Sequence, residues 1–157
     1  MKFMKKNLKW LVAGIIAAFA MLQLTTPAHV NPPAKNDFIA STQPPENVAA
    51  MFRAACYDCH SDETHWPWYS HVAPISWQIA QDVNDGRKHI NLSEWPADPD
   101  LAQKKLQHMS DEIDDNDMPL SKYTLIHKDA RLTTAQRNKM TQWLDAQVDK
   151  LKAPVAK

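Results

Sequence analysis

Residues 56–60, which read Cys-Tyr-Asp-Cys-His, constrain the fold of this chain more than any other feature. Thiols separated by two residues lie about one helical turn apart, and this spacing lets both add to the two vinyl groups of one porphyrin. The histidine that follows can then place its imidazole under the iron as the proximal ligand. The segment therefore predicts one c-type haem, covalently attached through Cys56 and Cys59 and coordinated by His60.

The cysteine pair has two other interpretations, a thioredoxin-like redox pair and half of a zinc site. A thioredoxin-like pair is typical of a βαβ setting, which this sequence does not show. A zinc site would need a second cysteine pair, and the chain contains 2 cysteines in total. Because His60 directly follows the pair, we favour haem attachment and assign both cysteines to thioethers, which leaves none for a disulfide.

The composition indicates an all-α fold. The chain has 11 prolines against 2 glycines and few β-branched runs, which is typical of short helices joined by turns that contain proline. Apolar residues recur at helical spacing after residue 45, over residues 75–86, over residues 99–114 and from residue 133 onward. We expect Gly86 to end the second of these helices, and Thr133 with Gln136 to form a capping box at the start of the last.

The amino terminus has the pattern of an export signal. Lysines at positions 2, 5, 6 and 9 precede an apolar run from Trp10 to Leu24, as in a secretory n-region and h-region. The possible cleavage triplets are poor, because residues 18–20 lie inside the apolar run and residues 26–28 contain a proline. We therefore favour an uncleaved signal anchor over a cleaved signal peptide. The first places the rest of the chain on the periplasmic side of the bacterial inner membrane, and the second leaves it soluble in the periplasm.

The exported part is expected to contain one domain. We divide the chain into a signal anchor or signal peptide (1–28), a proline-rich linker (29–45), a haem-binding domain (46–152) and a tail (153–157). The prolines of the linker predict an extended spacer that lifts the domain off the membrane. Beyond residue 28 the chain carries 14 basic and 18 acidic residues, a net charge of −4. This argues against nucleic acid as a partner, since phosphate contacts need clustered lysine and arginine.

An aromatic stretch follows the cysteine segment. It contains Trp66, Trp68, Tyr69 and Trp77 within twelve residues. Such side chains either shield a haem from water, which tunes its reduction potential, or form ordinary core packing. Both interpretations stay open from the sequence.

The sixth ligand of the iron is expected to come from a loop far along the chain. Met118 followed by Pro119 resembles the cytochrome c fold, in which a methionine on a late loop supplies this ligand. Met118 lies off any apolar stripe, whereas Met109 belongs to a stripe at helical spacing and is interpreted as a core residue. The resemblance implies His60 and Met118 as the two metal ligands. His89, His108 and His127 remain alternatives to Met118.

From about residue 36 to residue 152 the chain resembles the bacterial haem-binding-domain family of monohaem c-type cytochromes. The resemblance implies a membrane-anchored or secreted electron-transfer or haem-binding module, with a cytochrome c-like small helical domain around one haem, and no defined substrate. It is carried by residues 56–61, 64–70 and 72–74, Trp77, Gly86, Arg87, Met118, Pro119, Tyr123, His127 and Trp143.

Two functions compete. The first, which we favour, is an electron carrier with a six-coordinate iron that works with redox partner proteins. The second is a haem enzyme or sensor, peroxidase-like or gas-binding, with an open or weakly ligated sixth site. Peroxidases related to c-type cytochromes usually carry two haems, and this chain has one Cys-x-x-Cys-His segment. We therefore expect a carrier rather than an enzyme.

Overall fold

The apolar periodicity of the sequence becomes a set of helices in the computed structural model, which describes residues 2–152, with side chains from residue 7 onward. Within this part, the secondary structure other than helix is an isolated parallel bridge between Asn36 and Glu94. The predicted all-α class is therefore confirmed, and the predicted tail lies outside the described residues. The α-helices are α1 (Lys2–Leu22), α2 (Phe38–Thr42), α3 (Glu46–Ala55), α4 (Tyr57–His60), α5 (Ile75–His89), α6 (Pro99–Asp114), α7 (Ser121–Ile126) and α8 (Thr134–Lys152). Short 3₁₀ turns lie at Gln23–Thr25, Trp68–His71 and Lys128–Ala130.

The core forms where α3 and α6 pack against α8. Phe38 lies at its centre and is fully buried, with its ring centroid 5.1 Å from that of Phe52 and 4.7 Å from that of Trp95. Leu106 and Leu144 bring the apolar stripes of α6 and α8 into the same cluster. Each fully buried side chain of this size contributes roughly 1.5–3 kcal/mol relative to its exposed state. Helices α3 and α8, which are distant in sequence, are thus in contact through this core.

Helices α6 and α8 begin at side-chain caps. The carboxylate of Asp98 accepts hydrogen bonds from the backbone N–H groups of Asp100 (2.8 Å) and Leu101 (3.0 Å) at the start of α6. At the start of α8, the Thr133 N–H donates to the Gln136 side chain at 2.8 Å, and the Gln136 N–H donates to the Thr133 hydroxyl at 3.3 Å. The predicted capping box is confirmed.

Helix α5 does not end at Gly86, as predicted, but continues to His89. A Cβ atom placed on Gly86 would lie 2.5 Å from the backbone oxygen of Cys59. Glycine therefore lets α5 and the cysteine segment approach each other closely, and it has no part in stopping the helix.

The segment between α1 and α3 is not the extended spacer that its prolines predict. The side chain of Asn31 donates to the carbonyl of Thr64 at 2.9 Å, and the N–H groups of Lys35 and Asn36 both donate to the carbonyl of Ser93 at 3.0 Å. A few residues later Phe38 enters the core. The segment is therefore packed along the domain over much of its length.

The apolar stretch Asn7–Thr25 is long and apolar enough to cross a membrane, and none of it is buried by the rest of the chain. A signal sequence near an amino terminus has the same properties. The structure thus agrees with an apolar amino-terminal helix and leaves its role as anchor or signal to be tested.

Candidate functional site

The cysteine segment follows directly from α3. The N–H of Cys56 donates to the carbonyl of Phe52 at 2.9 Å, so the helix delivers the first thiol at its end. The N–H groups of Cys59 and His60 then donate to the carbonyl of Cys56 at 3.2 and 2.9 Å, which closes one helical turn. On the opposite side, Tyr57 is buried, and its hydroxyl donates to the carboxylate of Asp37 at 2.7 Å. This buried tyrosine fixes the rotation of the short helix α4.

The imidazole of His60 is oriented by backbone carbonyls. Its Nδ1 lies 3.0 Å from the oxygen of Gly86 and 3.1 Å from the oxygen of Ile90. Because a carbonyl oxygen can only accept, Nδ1 carries the proton, and Nε2 keeps a free lone pair. Burial lowers the pKa of His60 below its ordinary value, which keeps the ring neutral. A neutral imidazole with its other nitrogen held in this way is the state in which histidine binds a metal.

The two thiols are protonated at neutral pH. Burial raises the pKa of Cys56 to about 12, and burial together with the nearby acidic groups raises the pKa of Cys59 to about 11. A redox-active cysteine pair needs a lowered pKa, since the thiolate is the reactive species. The environment of this pair therefore does not fit thioredoxin-like chemistry.

A cavity of about 400 Å³ opens beside the cysteine segment. Its volume falls within the range of about 300–1,000 Å³ that is typical of ligand and cofactor sites. The lining combines the two thiols, the imidazole and the Met118 side chain with an apolar surface and a rim of ionisable groups. The apolar part is formed by Ala55, Ile90, Leu92, Met109, Ile113, Pro119 and Leu120, and the rim carries Asp82, Asp85, His89, His108 and Glu112. These donors and this apolar surface fit a covalently attached haem.

The loop that carries Met118 is fixed to the end of α6. Asn116 has a φ of 64°, a left-handed conformation that asparagine adopts more readily than most residues, so the turn forms without glycine. The N–H of Met118 donates to the carbonyl of Glu112 at 3.0 Å, and Arg137 of α8 donates to the carbonyl of Met118 at 2.6 Å. The structure therefore brings Met118 into the same cavity as His60.

The other candidate ligands divide into two groups. His89 and His108 line the cavity, as does Met109, which is also buried in the core. His127 does not line it: its Nε2 is hydrogen-bonded to the hydroxyl of Tyr69 at 2.6 Å, and its ring stacks on Tyr123 at 4.1 Å. The structure thus removes His127 from the alternatives that the sequence left open.

The aromatic stretch does not line the cavity. The ring of Trp66 stacks on His29 at a centroid distance of 4.2 Å, and the Nε1 of Trp77 donates to the carbonyl of Thr25 at 3.1 Å. Trp68 is 77% exposed. Trp66 and Trp77 therefore pack on the segment that follows α1, and of the two interpretations left open the structure does not support haem shielding.

The sequence analysis missed two residues that organise the site. Tyr123 lines the cavity, and its hydroxyl donates to the carboxylate of Asp58 at 2.7 Å, which joins α7 to the cysteine segment. Arg87 donates from its Nε to the carbonyl of Ser61 at 2.8 Å, just after His60. Both positions carry the family resemblance, but no local pattern revealed either contact.

Comparison with known proteins gives one match. The model of a family described as a haem-binding domain matches residues 16–146. Neither the curated proteins nor the solved structures that were searched contain a match.

Proposed function

The chain belongs to the haem-binding-domain family, and on that premise we propose that it is a periplasmic electron-transfer protein with one covalent c-type haem. The observation that supports this most directly is that Cys56, Cys59, His60 and Met118 line one cavity. We further propose that α1 remains as an anchor in the inner membrane, and that the partners are redox proteins. The family match itself supports haem binding.

Each residue has a definite role in this proposal. Cys56 and Cys59 would hold the macrocycle through thioethers, and His60 would supply its unprotonated Nε2 as one iron ligand. Met118 would supply a thioether as the second ligand, which would favour the ferrous state and raise the reduction potential. When bound, the haem supplies a one-electron ferric–ferrous couple. The apolar lining excludes water, and the Arg137 contact with the Met118 loop limits movement of the sixth ligand.

A haem enzyme or sensor with an open sixth site is the second candidate. The observation that favours it is that His89 and His108 line the same cavity, because imidazoles near an iron can serve as acid–base groups. His108 also lies 3.7 Å from the carboxylate of Glu112. A pair of this kind could hold a proton beside a substrate.

Replacing Met118 distinguishes the two functions. Met118→Ala should remove the weak thioether-to-iron band in the red part of the ferric spectrum, lower the reduction potential and let carbon monoxide bind the reduced protein. The matched control is Met109→Ala, which truncates the same side chain in the same cavity. It should leave the spectrum unchanged and cost about 2–5 kcal/mol of stability through the cavity it creates.

The outcome of this pair is decisive. If the wild-type protein is already high-spin and binds carbon monoxide readily, the enzyme or sensor function replaces the carrier. If Met109→Ala, and not Met118→Ala, removes the thioether band, the sixth ligand lies on α6.

A further inference from the structure

The end of the apolar amino-terminal stretch is attached directly to the domain. The N–H of Ala73 donates to the Oε1 of Gln23 at 2.9 Å, and the Nε2 of Gln23 donates back to the carbonyl of Ala73 at 3.4 Å. The Nε1 of Trp77 donates to the carbonyl of Thr25 at 3.1 Å. Gln23 and Thr25 are the last residues of the stretch that is long enough to cross a membrane. The start of α5 is therefore held against the point where that stretch ends.

Large apolar side chains close in sequence to these contacts are exposed. Trp68 is 77% exposed, Ile75 50% and Trp77 37%. We call these three residues the junction face. Among the described side chains, the exposed tryptophans are Trp68 and Trp77 of this face and Trp10 of α1. Trp95, at the other end of α5, is buried in the core.

The surrounding sequence suits a membrane surface. Residues 66–81 contain no lysine, arginine, aspartate or glutamate, so no formal charge other than a protonated histidine has to be desolvated there. Tryptophan is enriched at membrane–water interfaces, because its ring is apolar and its N–H still needs a polar partner. An apolar, uncharged face beside the end of a spanning helix has the properties of an interfacial surface.

We propose that the junction face rests in the headgroup region of the periplasmic leaflet, so that the domain lies on the bilayer that holds α1. This rests on the proposal that α1 is retained as an anchor. A second copy of this chain is the alternative occupant of the face, and the experiment below separates the two.

The cavity is then held away from the lipid. Ile75 begins α5, and Asp82 and Gly86, seven and eleven residues further along this helix, line the cavity. At 1.5 Å per residue they lie about 10 and 16 Å from Ile75 along the helix axis. Helix α5 thus separates the junction face from the haem site.

Photochemical labelling by lipid tests this proposal on the full-length haem-loaded protein. The protein is reconstituted in phosphatidylethanolamine–phosphatidylglycerol vesicles with a phospholipid that carries a diazirine near the glycerol backbone. After illumination, adducts are located by fragmentation mass spectrometry. We expect adducts on α1 and on Trp68 and Ile75, and none around Leu101, an apolar residue at the start of α6 that is 46% exposed. Trp68→Ser with Ile75→Ser should lose the adducts on the face and keep those on α1, with an unchanged haem content.

Each other outcome has one meaning. Adducts on α1 with none on the junction face would overturn the proposal and leave the anchor intact. A protein in which α1 is absent, shown by a native amino terminus beyond residue 25, would remove the anchor on which the proposal rests. If the junction face carries no lipid adducts and a separately added bifunctional crosslinker joins two copies of the chain there, the face belongs to a second copy.

Discussion

At the scale of single residues, Gly86 shows how one missing side chain positions the site. Its lack of a Cβ lets α5 approach the Cys59 carbonyl, and its own carbonyl accepts from the Nδ1 of His60. The same residue therefore sets both the distance of α5 from the cysteine segment and the orientation of the proximal imidazole. Any side chain here should disturb both at once.

Gly86→Ala is expected to destabilise the protein although alanine is the better helix former by about 1 kcal/mol. The added methyl group meets backbone, which cannot rotate away, and overpacking of this kind costs about 1–3 kcal/mol. Thermal unfolding and haem content per chain measure the effect. Gly14→Ala is the matched control, since a Cβ at Gly14 meets nothing within 4 Å. Equal behaviour of the two variants would contradict the close approach.

His29 makes the packing beside α1 sensitive to pH. Its Nε2 is buried with no hydrogen-bond partner, its ring stacks on Trp66, and the ring of His71 meets it edge-on at 4.3 Å. Burial, and next the charge of His71, lower the pKa of His29 from its ordinary value of 6.5, although a backbone contact with Ser70 offsets part of this. The unfolded chain therefore binds the proton more readily than the folded one. The stability contributed by neutral His29 is complete above pH 6.5 and declines as the pH falls below that value.

His29→Phe should flatten this dependence, because phenylalanine can stack on Trp66 and cannot be protonated. The melting temperature should fall less between about pH 7.5 and about pH 5.5 than it does in the wild type. His65→Phe, at an exposed histidine, should behave like the wild type. If the melting temperature of the His29 variant depends on pH as steeply as that of the wild type, His29 does not titrate in this range.

At the scale of elements, Arg87 joins three segments that are distant in sequence. From α5 it donates to the carbonyls of Ser61 and Val30 at 2.8 and 2.9 Å, and to the side chains of Asn31 and Thr64 at 3.0 and 2.9 Å. Its Nε also lies 3.5 Å from the carboxylate of Asp62, which is 3% exposed. The guanidinium thus holds the segment after α1 against the end of the cysteine segment.

Arg87→Lys should be costly despite the retained charge, because a single ammonium group cannot reach all of these acceptors. Each lost hydrogen bond is worth about 1 kcal/mol, so we expect a loss of roughly 2–4 kcal/mol. Chemical denaturation measures it, and faster proteolysis between residues 29 and 36 should accompany it. Arg53→Lys is the matched control. Because Arg53 is half-exposed and pairs with the half-exposed Glu63, this substitution should lower the free energy of unfolding by less than about 1 kcal/mol.

Contacts between elements also mark the limit of what the sequence predicts. The capping box at Thr133 was predicted correctly because it depends on residues within one helical turn. Haem attachment at residues 56–60 also depends on a local pattern and stays a prediction. The role of Gly86 was predicted wrongly because a glycine near the end of a helical pattern usually stops the helix. Glycine is required here because the backbone of Cys59, 27 residues away in sequence, packs against it. The linker was misread because its prolines favour extended backbone, which is equally suited to lying along a domain. The aromatic stretch has no periodicity that shows which surface it faces.

At the scale of the whole molecule, the core and the cavity share residues, namely Ile90, Leu92, Met109 and Ile113. Cys56 precedes α4, Cys59 and His60 lie within it, and Met109 and Ile113 of α6 line the same cavity. A domain of this size has little core to spare, so filling the cavity should contribute much of its stability.

Cys56→Ala with Cys59→Ala should therefore yield little folded protein. In the wild type we expect a mass increased by one haem that survives acid–acetone extraction, together with cooperative thermal unfolding by circular dichroism. In the double variant both should be lost. Haem that passes into the organic phase from the wild type would rule out covalent attachment.

The course of residues 29–38 along the domain has a consequence for the electron transfer that we propose. A free linker of about 20 residues would give the domain a root-mean-square reach of about 25 Å, enough to swing between two membrane complexes. Here Val30 and Asn31 are bound to Arg87, and Gln23 is bound to Ala73, so no such free length exists. If the chain is the anchored electron carrier that we propose, its domain cannot swing between two membrane complexes. A donor and an acceptor would then each have to reach the same site by diffusion, one after the other.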